Sequence, residues 1–239
     1  MQENYISYQA GDIQCKGYLV SHNKDEHLPG ILVVHAWHGQ DEFAREKARA
    51  LAKLGYIVLA VDMFGNGKNA TDDDEAMSLI GPLYADRELM QKRVVAAFDT
   101  LVKQPGVDKY RIGAIGFCFG GLTVIELLRS GTPVKSVVSF HGILSHLGAK
   151  TVPLASNIKG SILILHGYDD PRVPMSDVLD IQQELNDAKI DWQMNIYGLT
   201  SHAFTNPNAN DKNKGLVYSD KANKRSWIAM NNFFQETLQ

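Results

Sequence analysis

The stretch Ile112-Gly113-Ala114-Ile115-Gly116-Phe117-Cys118-Phe119-Gly120-Gly121-Leu122 places a cysteine between two glycines, after an apolar run and before a helical pattern. Gly-x-Cys-x-Gly at the end of a strand is typical of a nucleophile elbow, a sharp turn that exposes a reactive side chain. The glycines leave room for the backbone to cross itself, and the free N–H groups of the following helix favour a thiolate. The stretch predicts a nucleophilic Cys118 and a helix beginning near Phe119; the alternative is an unreactive cysteine buried beside packing glycines.

Short apolar runs alternate with helical patterns along the rest of the chain. Runs that are apolar on both faces are typical of central strands in a parallel sheet covered by helices. The apolar runs are 31–34, 57–61, 111–116, 134–140 and 162–165, and the helical patterns are 42–54, 86–103, 175–188 and 221–238. Residues before position 20 alternate around Ala10-Gly11-Asp12 instead, which predicts an antiparallel hairpin at the sheet edge. The order predicts an α/β fold with right-handed crossovers, in one domain over 1–239.

The composition narrows the classes of function. The chain has 239 residues, with 24 Lys and Arg against 27 Asp and Glu, and a formal net charge of -3 at pH 7. This near balance disfavours a nucleic-acid partner, which usually requires a basic excess. No apolar run reaches the roughly 18 residues of a membrane span, and the N-terminus lacks the pattern of a signal peptide. Two cysteines, Cys15 and Cys118, make no disulfide framework, so we expect a cytoplasmic protein. Because the chain has no long apolar run, we expect no membrane partner.

The longest irregular stretch is 62–80, which contains an acidic run at 71–75. We interpret this run as a solvated helix N-terminus, where carboxylates interact favourably with the helix dipole. A metal site is the alternative, but no second group of ligands supports it.

A cysteine nucleophile requires a histidine base and a carboxylate that orients the histidine. Behind a nucleophile elbow these groups follow in the order nucleophile, acid, histidine, each after a later strand. The apolar run 162–165 is followed by Asp169 and Asp170, and the strand pattern 192–197 is followed by His202. We favour Asp170 over Asp169 because a rigid Pro-Arg-Val-Pro turn follows it. The expected triad is Cys118, His202 and Asp170.

The oxyanion formed during acyl transfer requires two backbone N–H donors. We expect one from Phe119, the residue after the nucleophile, and the other from Trp37, in the loop after the run 31–34. Two histidines three residues apart in that loop are interpreted as pocket lining, because no third metal ligand lies near. Arg87 is a candidate contact for an anionic group, and its alternative is a surface position on a helix. The expected pocket residues are His35, Ala36, His38, His141 and Arg87.

Four segments together resemble the dienelactone hydrolase family of α/β-hydrolases. They are Gly-Phe-Cys-Phe-Gly-Gly at 116–121, Asp170-Pro-Arg-Val-Pro, His202-Ala-Phe, and His-Ala-Trp-His-Gly at 35–39. The resemblance covers essentially the whole chain. It implies an α/β-hydrolase fold, a three-layer sandwich with a mostly parallel central sheet of about eight strands and a minimal cap. It also implies hydrolysis of a small ester or lactone by a Cys–His–Asp triad, without a metal or an organic cofactor.

Two positions depart from the family's pattern. Dienelactone-cleaving members carry a Glu in the first oxyanion loop, where this chain has Ala36, and an Arg four residues after the catalytic histidine, where it has Asn206. Both departures point away from dienelactone itself. Two other functions remain open. One is a small peptidase of the same fold, because the short connection between 142 and 160 would leave a site open enough for a peptide. The other is a non-catalytic binding module. We expect a monomer or a homodimer.

The protonation state expected for the Cys118 thiol depends on the loop at 35–39. With Ala36 in place of Glu, no carboxylate there holds Cys118 neutral, and the adjacent His35 would favour a thiolate if it lay near the sulfur. We therefore expect Cys118 to be ionised at neutral pH; the alternative is a buried neutral thiol. Cys15, on the alternating N-terminal hairpin, is expected to be structural.

Overall fold

The computed structural model describes residues 1–22, 27–145 and 158–238. The strands are β1 (Gln2–Ala10), β2 (Ile13–Ser21), β3 (Leu28–Val34), β4 (Ile57–Ala60), β5 (Val107–Phe117), β6 (Ser136–Phe140), β7 (Ser161–Gly167), β8 (Trp192–Tyr197), β9 (Asn210–Asp211) and β10 (Leu216–Val217). The helices are α1 (Glu42–Lys53), α2 (Asp73–Ala85), α3 (Arg87–Leu101), α4 (Phe119–Arg129), α5 (Met175–Asp187) and α6 (Asp220–Thr237).

Eight strands form one mostly parallel sheet in the order β1-β2-β4-β3-β5-β6-β7-β8. The six strands from β4 to β8 in this order are parallel to one another, whereas β1 and β2 pair antiparallel. Gly11, with a φ of 63°, makes the turn between β1 and β2. The predicted N-terminal hairpin at the sheet edge is therefore confirmed.

Helices cover both faces of the sheet. Along β3, Ile31 and Val33 belong to the hydrophobic cluster that includes buried residues of α1 and α6. Leu32 and Val34 point to the opposite cluster, which includes buried residues of α2, α3, α4 and α5. Because successive side chains of a strand point to opposite faces, one apolar run stabilises both layers. Each fully buried Val, Leu or Ile side chain contributes about 1.5–3 kcal/mol to the free energy of unfolding. The three-layer sandwich is confirmed.

The predicted helices agree with the structure to within two residues at each end, but the stretch 62–80 differs. It contains the start of α2, whose N-terminus is capped by Asp72 through a hydrogen bond from the Glu75 N–H. This confirms that the acidic run marks a helix N-terminus. The extent of the helix was not predicted, because Gly81 and Pro82 lie inside it and weaken its pattern.

Two further expectations concern the connection between 142 and 160 and the absence of a membrane-spanning helix. Residues 146–157, most of the connection expected to leave an open site, lie outside the described residues. Of the helices within the described ranges, none combines the length and the apolar character that crossing a bilayer requires.

Candidate active site

Cys118 occupies the turn between β5 and α4 with a φ of 54° and a ψ of -111°. Residues with a side chain rarely adopt a positive φ, so the surrounding structure must impose it. The N–H of Cys118 donates to the carbonyl of Phe140 at the end of β6, 3.1 Å away. A Cβ on Gly116 would lie 1.9 Å from the Gly120 carbonyl oxygen, and one on Gly120 would lie 2.3 Å from the Val34 carbonyl oxygen. Both flanking glycines are therefore required by close backbone crossings.

Replacing Gly120 by Ala is expected to lower the free energy of unfolding by about 2 kcal/mol or more, because the new methyl group would overlap backbone atoms that cannot move independently. Gly81→Ala is the matched control, since a Cβ on Gly81 meets nothing within 4 Å. In a helix that substitution stabilises slightly. Urea unfolding of both variants measures the difference, and equal stabilities would contradict the steric account of the elbow.

His202 and Asp170 form a buried pair. The Nδ1–H of His202 donates to Oδ2 of Asp170 at 2.7 Å, and both residues are at most 5% exposed. The other carboxylate oxygen, Oδ1, accepts the backbone N–H of Arg172 at 2.9 Å, which fixes the carboxylate plane. Asp169 is exposed, and its backbone N–H donates to the Thr200 carbonyl. The structure thus brings Asp170, and not Asp169, to the histidine.

Cys118 and His202 shift one another's pKa. Burial opposes ionisation of the Cys118 thiol, but the charge and hydrogen bonding of His202, followed by the charge of Arg172, lower its pKa below the ordinary value. Burial likewise opposes protonation of His202, but Cys118 and Asp170 raise its pKa to about 9. The Nε2 atom of His202 has no hydrogen bond of standard geometry to a described residue, as is common for catalytic pairs without substrate. The shifts favour a thiolate–imidazolium pair.

Two further groups support the thiolate. The backbone N–H of Phe119, at the start of α4, donates to Cys118 and lowers the thiol pKa further. The guanidinium of Arg172 lies over the Trp37 ring, 5.8 Å from its centroid, and reaches the same cavity. Arg172 was not among the residues expected from the sequence, although its place two residues after Asp170 is a usable signal.

His35 lies elsewhere than expected. It is 0% exposed and is not part of the cavity wall formed by Ala36, Trp37 and His38. Burial lowers the pKa of His35, so the ring is neutral and contributes no charge to the thiolate. The expected ionisation of Cys118 therefore has a different source, namely His202 and Arg172.

Arg87 also lies elsewhere than expected, neither on the surface nor in the cavity. Its side chain is 0% exposed, and its Nε lies 3.8 Å from Oε1 of Glu126 on α4. The same carboxylate accepts hydrogen bonds from Nη1 of Arg129, at 2.8 Å, and from Nε2 of Gln91, at 2.9 Å. Burying one charge without its partner is costly, so this group links α3 to α4 and has a structural role.

A cavity of about 540 Å³ contains Cys118 and His202. Three of the expected pocket residues line it, namely Ala36, His38 and His141, together with Trp37, the expected second oxyanion donor. The wall is largely apolar, with Phe43, Met77, Ile80, Tyr84, Phe117 and Ile143 among its residues. Its volume suits a small organic molecule. The α2 side chains were missed because only the N-terminus of that helix was predicted, and not its length or its buried face.

His141 packs against His202. The two ring centroids are 5.0 Å apart, with the planes inclined by 65°. Burial, and then the charge of His202, hold the pKa of His141 well below its usual range. Nε2 of His141 bonds to Oγ1 of Thr205 at 2.8 Å. His141 is therefore an uncharged residue of the cavity wall whose ring packs against that of His202.

Charged, partly exposed side chains pair with one another along the wall of the cavity. Lys214, on the turn between β9 and β10, places Nζ 2.9 Å from Oδ2 of Asp73 at the start of α2. Nε2 of His38 lies 3.4 Å from Oδ1 of the same carboxylate. This ionic rim joins two segments far apart in sequence. Within residues 1–22, 27–145 and 158–238, no group of three or more His, Cys, Asp or Glu side chains is arranged to hold a metal ion.

Comparison with known proteins gives one consistent result. The sequence model of the dienelactone hydrolase family matches residues 15–238. The crystal structure of a dienelactone hydrolase-like promiscuous phosphotriesterase from metagenomic libraries is 37% identical, with a TM-score of 0.93 over 100% of this chain and 99% of that one. Protein usf of Aquifex pyrophilus is 25% identical over 238 residues, or 98% of each chain. Dienelactone hydrolase from Anabaena variabilis, at 22% identity and a TM-score of 0.68, covers 100% of this chain and 99% of its own length and shares the fold.

Proposed function

This chain belongs to the dienelactone hydrolase family and is a hydrolase, and from that premise we propose that it cleaves a small ester or lactone through a thioester on Cys118. The observation that carries the proposal is the buried His202–Asp170 pair beside a strained, glycine-flanked cysteine. A nucleophile, a base and a group that orients the base are the minimum requirement for covalent catalysis of this kind.

In the first half of the reaction the Cys118 thiolate attacks the ester carbonyl. The new C–S bond forms as the carbonyl π electrons move to oxygen, and the N–H groups of Phe119 and Trp37 receive this oxyanion. When the tetrahedral intermediate collapses, the C–O bond to the leaving alcohol breaks. The imidazolium of His202 gives that alkoxide its proton, which leaves a thioester and a neutral histidine.

In the second half His202 accepts a proton from water, and the resulting hydroxide attacks the thioester. Collapse of the second tetrahedral intermediate breaks the C–S bond, releases the acid and restores the thiolate–imidazolium pair. Asp170 keeps the proton of His202 on Nδ1 throughout, so that Nε2 faces the reacting atoms.

A second candidate reaction is hydrolysis of a phosphotriester. The specific observation in its favour is the 37% identity, over the whole chain, to a promiscuous phosphotriesterase. A cavity of about 540 Å³ with an uncharged Ala36 has room for an organophosphate beside the thiolate. We place it second because the family model that matches residues 15–238 is that of dienelactone hydrolases, whose name denotes lactone cleavage.

A substrate panel tests the proposed function. It comprises p-nitrophenyl acetate, a simple lactone, dienelactone, a dialkyl p-nitrophenyl phosphate and a dipeptide p-nitroanilide. We expect the ester and the lactone to have the highest kcat/KM. Dienelactone is expected to be a poor substrate, because Ala36 and Asn206 stand where the family's dienelactone-cleaving members have Glu and Arg. Preferred cleavage of the anilide would instead support a peptidase, and preferred cleavage of the phosphate the second candidate.

The pH dependence of Cys118 alkylation tests the ion pair. Because the thiolate is the reactive form, the iodoacetamide rate should rise with pH and level off below the free-thiol value of about 8.5. Arg172→Gln removes a positive charge and should move the midpoint upward, and Ala36→Glu, which adds a negative charge, should do the same. A wild-type midpoint near 8.5 that neither substitution moves would contradict the pair.

The ionic rim predicts a limit on the size of the entering group. Lys214→Met should increase Cys118 alkylation by bulky N-phenylmaleimide several-fold relative to iodoacetamide, because it removes the ion pair that joins the β9–β10 turn to α2. The effect should be no larger, because an exposed ion pair contributes at most about 1 kcal/mol. Lys224→Met is the matched control, since Lys224 pairs with Asp220 at 2.8 Å outside the cavity wall. High salt should reproduce the Lys214→Met effect in the wild type by screening the pair. An unchanged ratio of the two rates would refute the size limit.

A further inference from the structure

We infer that His35 is a positioning residue that orients the Ala36–Trp37 peptide group so that its N–H points into the cavity. The inference rests on the proposed function, in which Trp37 supplies the second oxyanion donor. It gives a role to a buried histidine that neither lines the cavity nor touches the thiol.

The hydrogen bonds of His35 define its tautomer. The backbone N–H of Met63 donates to Nε2 at 3.2 Å, so Nε2 is an acceptor and carries no proton. The ring is neutral because burial lowers the pKa of His35. Its single proton therefore lies on Nδ1, and it is donated to the carbonyl oxygen of Ala36 at 2.5 Å.

This second hydrogen bond is the shorter of two that fix the direction of the peptide, since the Ala36 carbonyl also accepts the N–H of Gly39 at 3.4 Å. The carbonyl of Ala36 and the N–H of Trp37 belong to one planar trans group, in which they point in opposite directions. The carbonyl points to the His35 ring, which is buried against Phe64 and Phe119. The N–H therefore points the other way, toward the cavity that Ala36 and Trp37 line. A flipped peptide would present a carbonyl oxygen, which repels an oxyanion.

The peptide lies close to the nucleophile. A Cβ on Gly120 would lie 2.3 Å from the carbonyl oxygen of Val34 and 2.6 Å from that of His35. The end of β3 is thus in contact with the first turn of α4, directly after Cys118. The Ala36–Trp37 peptide is the next group along the chain, so its N–H and that of Phe119 flank the same space.

The loop after β4 binds the His35 ring through the N–H of Met63. The carbonyl of Met63 accepts a hydrogen bond from Arg93 at 2.6 Å, while its N–H is bound by His35. The carboxylate of Asp62 accepts the N–H groups that follow, those of Phe64 at 3.1 Å, Gly65 at 2.7 Å and Gly67 at 2.8 Å. These hydrogen bonds fix the conformation of the loop, and His35 connects it to the Ala36 carbonyl.

Three substitutions test the role. His35→Phe keeps a ring without hydrogen bonds, and His35→Gln places its amide near the Nε2 position only. His35→Asn places an amide donor near the Nδ1 position and can still bind the Ala36 carbonyl. We expect Phe and Gln to lower kcat for p-nitrophenyl acetate by about 10²-fold, the usual effect of losing one oxyanion donor, with little change in KM. His35→Asn should recover most of the loss.

Alkylation of Cys118 by iodoacetamide is the internal control. Displacement at a saturated carbon develops no oxyanion, so its rate and pH midpoint should not change in any folded variant. An unchanged kcat in a folded His35→Gln variant, or equal losses of hydrolysis and alkylation, would overturn the inference. If His35→Phe does not fold, the comparison of Gln with Asn decides. Ester turnover that survives Cys118→Ala would instead show that the proposed function has failed.

Discussion

Cys118→Ala is expected to lower ester turnover by about 10⁶-fold, the loss seen when the nucleophile of a comparable triad is removed. Without the sulfur, no thioester can form, and His202 alone cannot replace the covalent step. The fold should be retained, because the substitution removes one atom beside a cavity and leaves Gly116 and Gly120 in place. Steady-state hydrolysis of p-nitrophenyl acetate and the circular dichroism spectrum measure the two effects.

Cys15→Ser is the matched control for Cys118→Ala. Cys15 is 0% exposed on β2, and burial raises the pKa of its thiol to about 11, so it is an unreactive structural group. Its replacement should lower the stability and leave kcat unchanged. Turnover that survives Cys118→Ala but is lost in a folded Cys15→Ser variant would move the nucleophile to the N-terminal hairpin.

Asp170→Asn is expected to reduce kcat by about 10⁴-fold. The amide can donate to Nδ1 of His202, which would place the ring proton on Nε2, the atom that must accept the proton of water. The loss of the carboxylate also removes one of the two groups that raise the pKa of His202. The pH profile of kcat/KM should therefore fall in height, and the limb that reflects His202 should move to lower pH.

Asp169→Asn is the matched control for Asp170→Asn. The two residues are adjacent, but Asp169 is exposed and its side chain has no contact with His202 among the described residues. We expect its replacement to change kcat by less than about tenfold. The reverse ranking of the two variants would assign the acid to Asp169.

The sequence predicted the fold well because its strongest signals are local. Runs that are apolar on both faces can be satisfied only inside a covered parallel sheet, and Gly-x-Cys-x-Gly requires a strand on one side and a helix on the other. The order of Asp170 and His202 after their strands could also be read, because loops at the carboxyl ends of parallel strands meet at one edge of the sheet.

Burial and side-chain direction could not be read from the sequence. His35 precedes three cavity residues, yet a one-residue step at the end of β3 turns it away from the cavity and into the protein. Arg87 begins an amphipathic helix, and only packing against Glu126 of α4 buries it. The strands β9 and β10 have two residues each, too few for a periodic pattern. Lys214, on their turn, was therefore missed.

Acid quenching during turnover tests the central claim most directly. Wild-type protein is mixed with p-nitrophenyl acetate, quenched at low pH within the first turnovers, digested and analysed by mass spectrometry. We predict an acetyl group on the peptide that contains Cys118, removable by hydroxylamine, and absent from the Cys118→Ala variant. Rapid hydrolysis with no acyl group on Cys118, or with the group on another residue, would contradict the account.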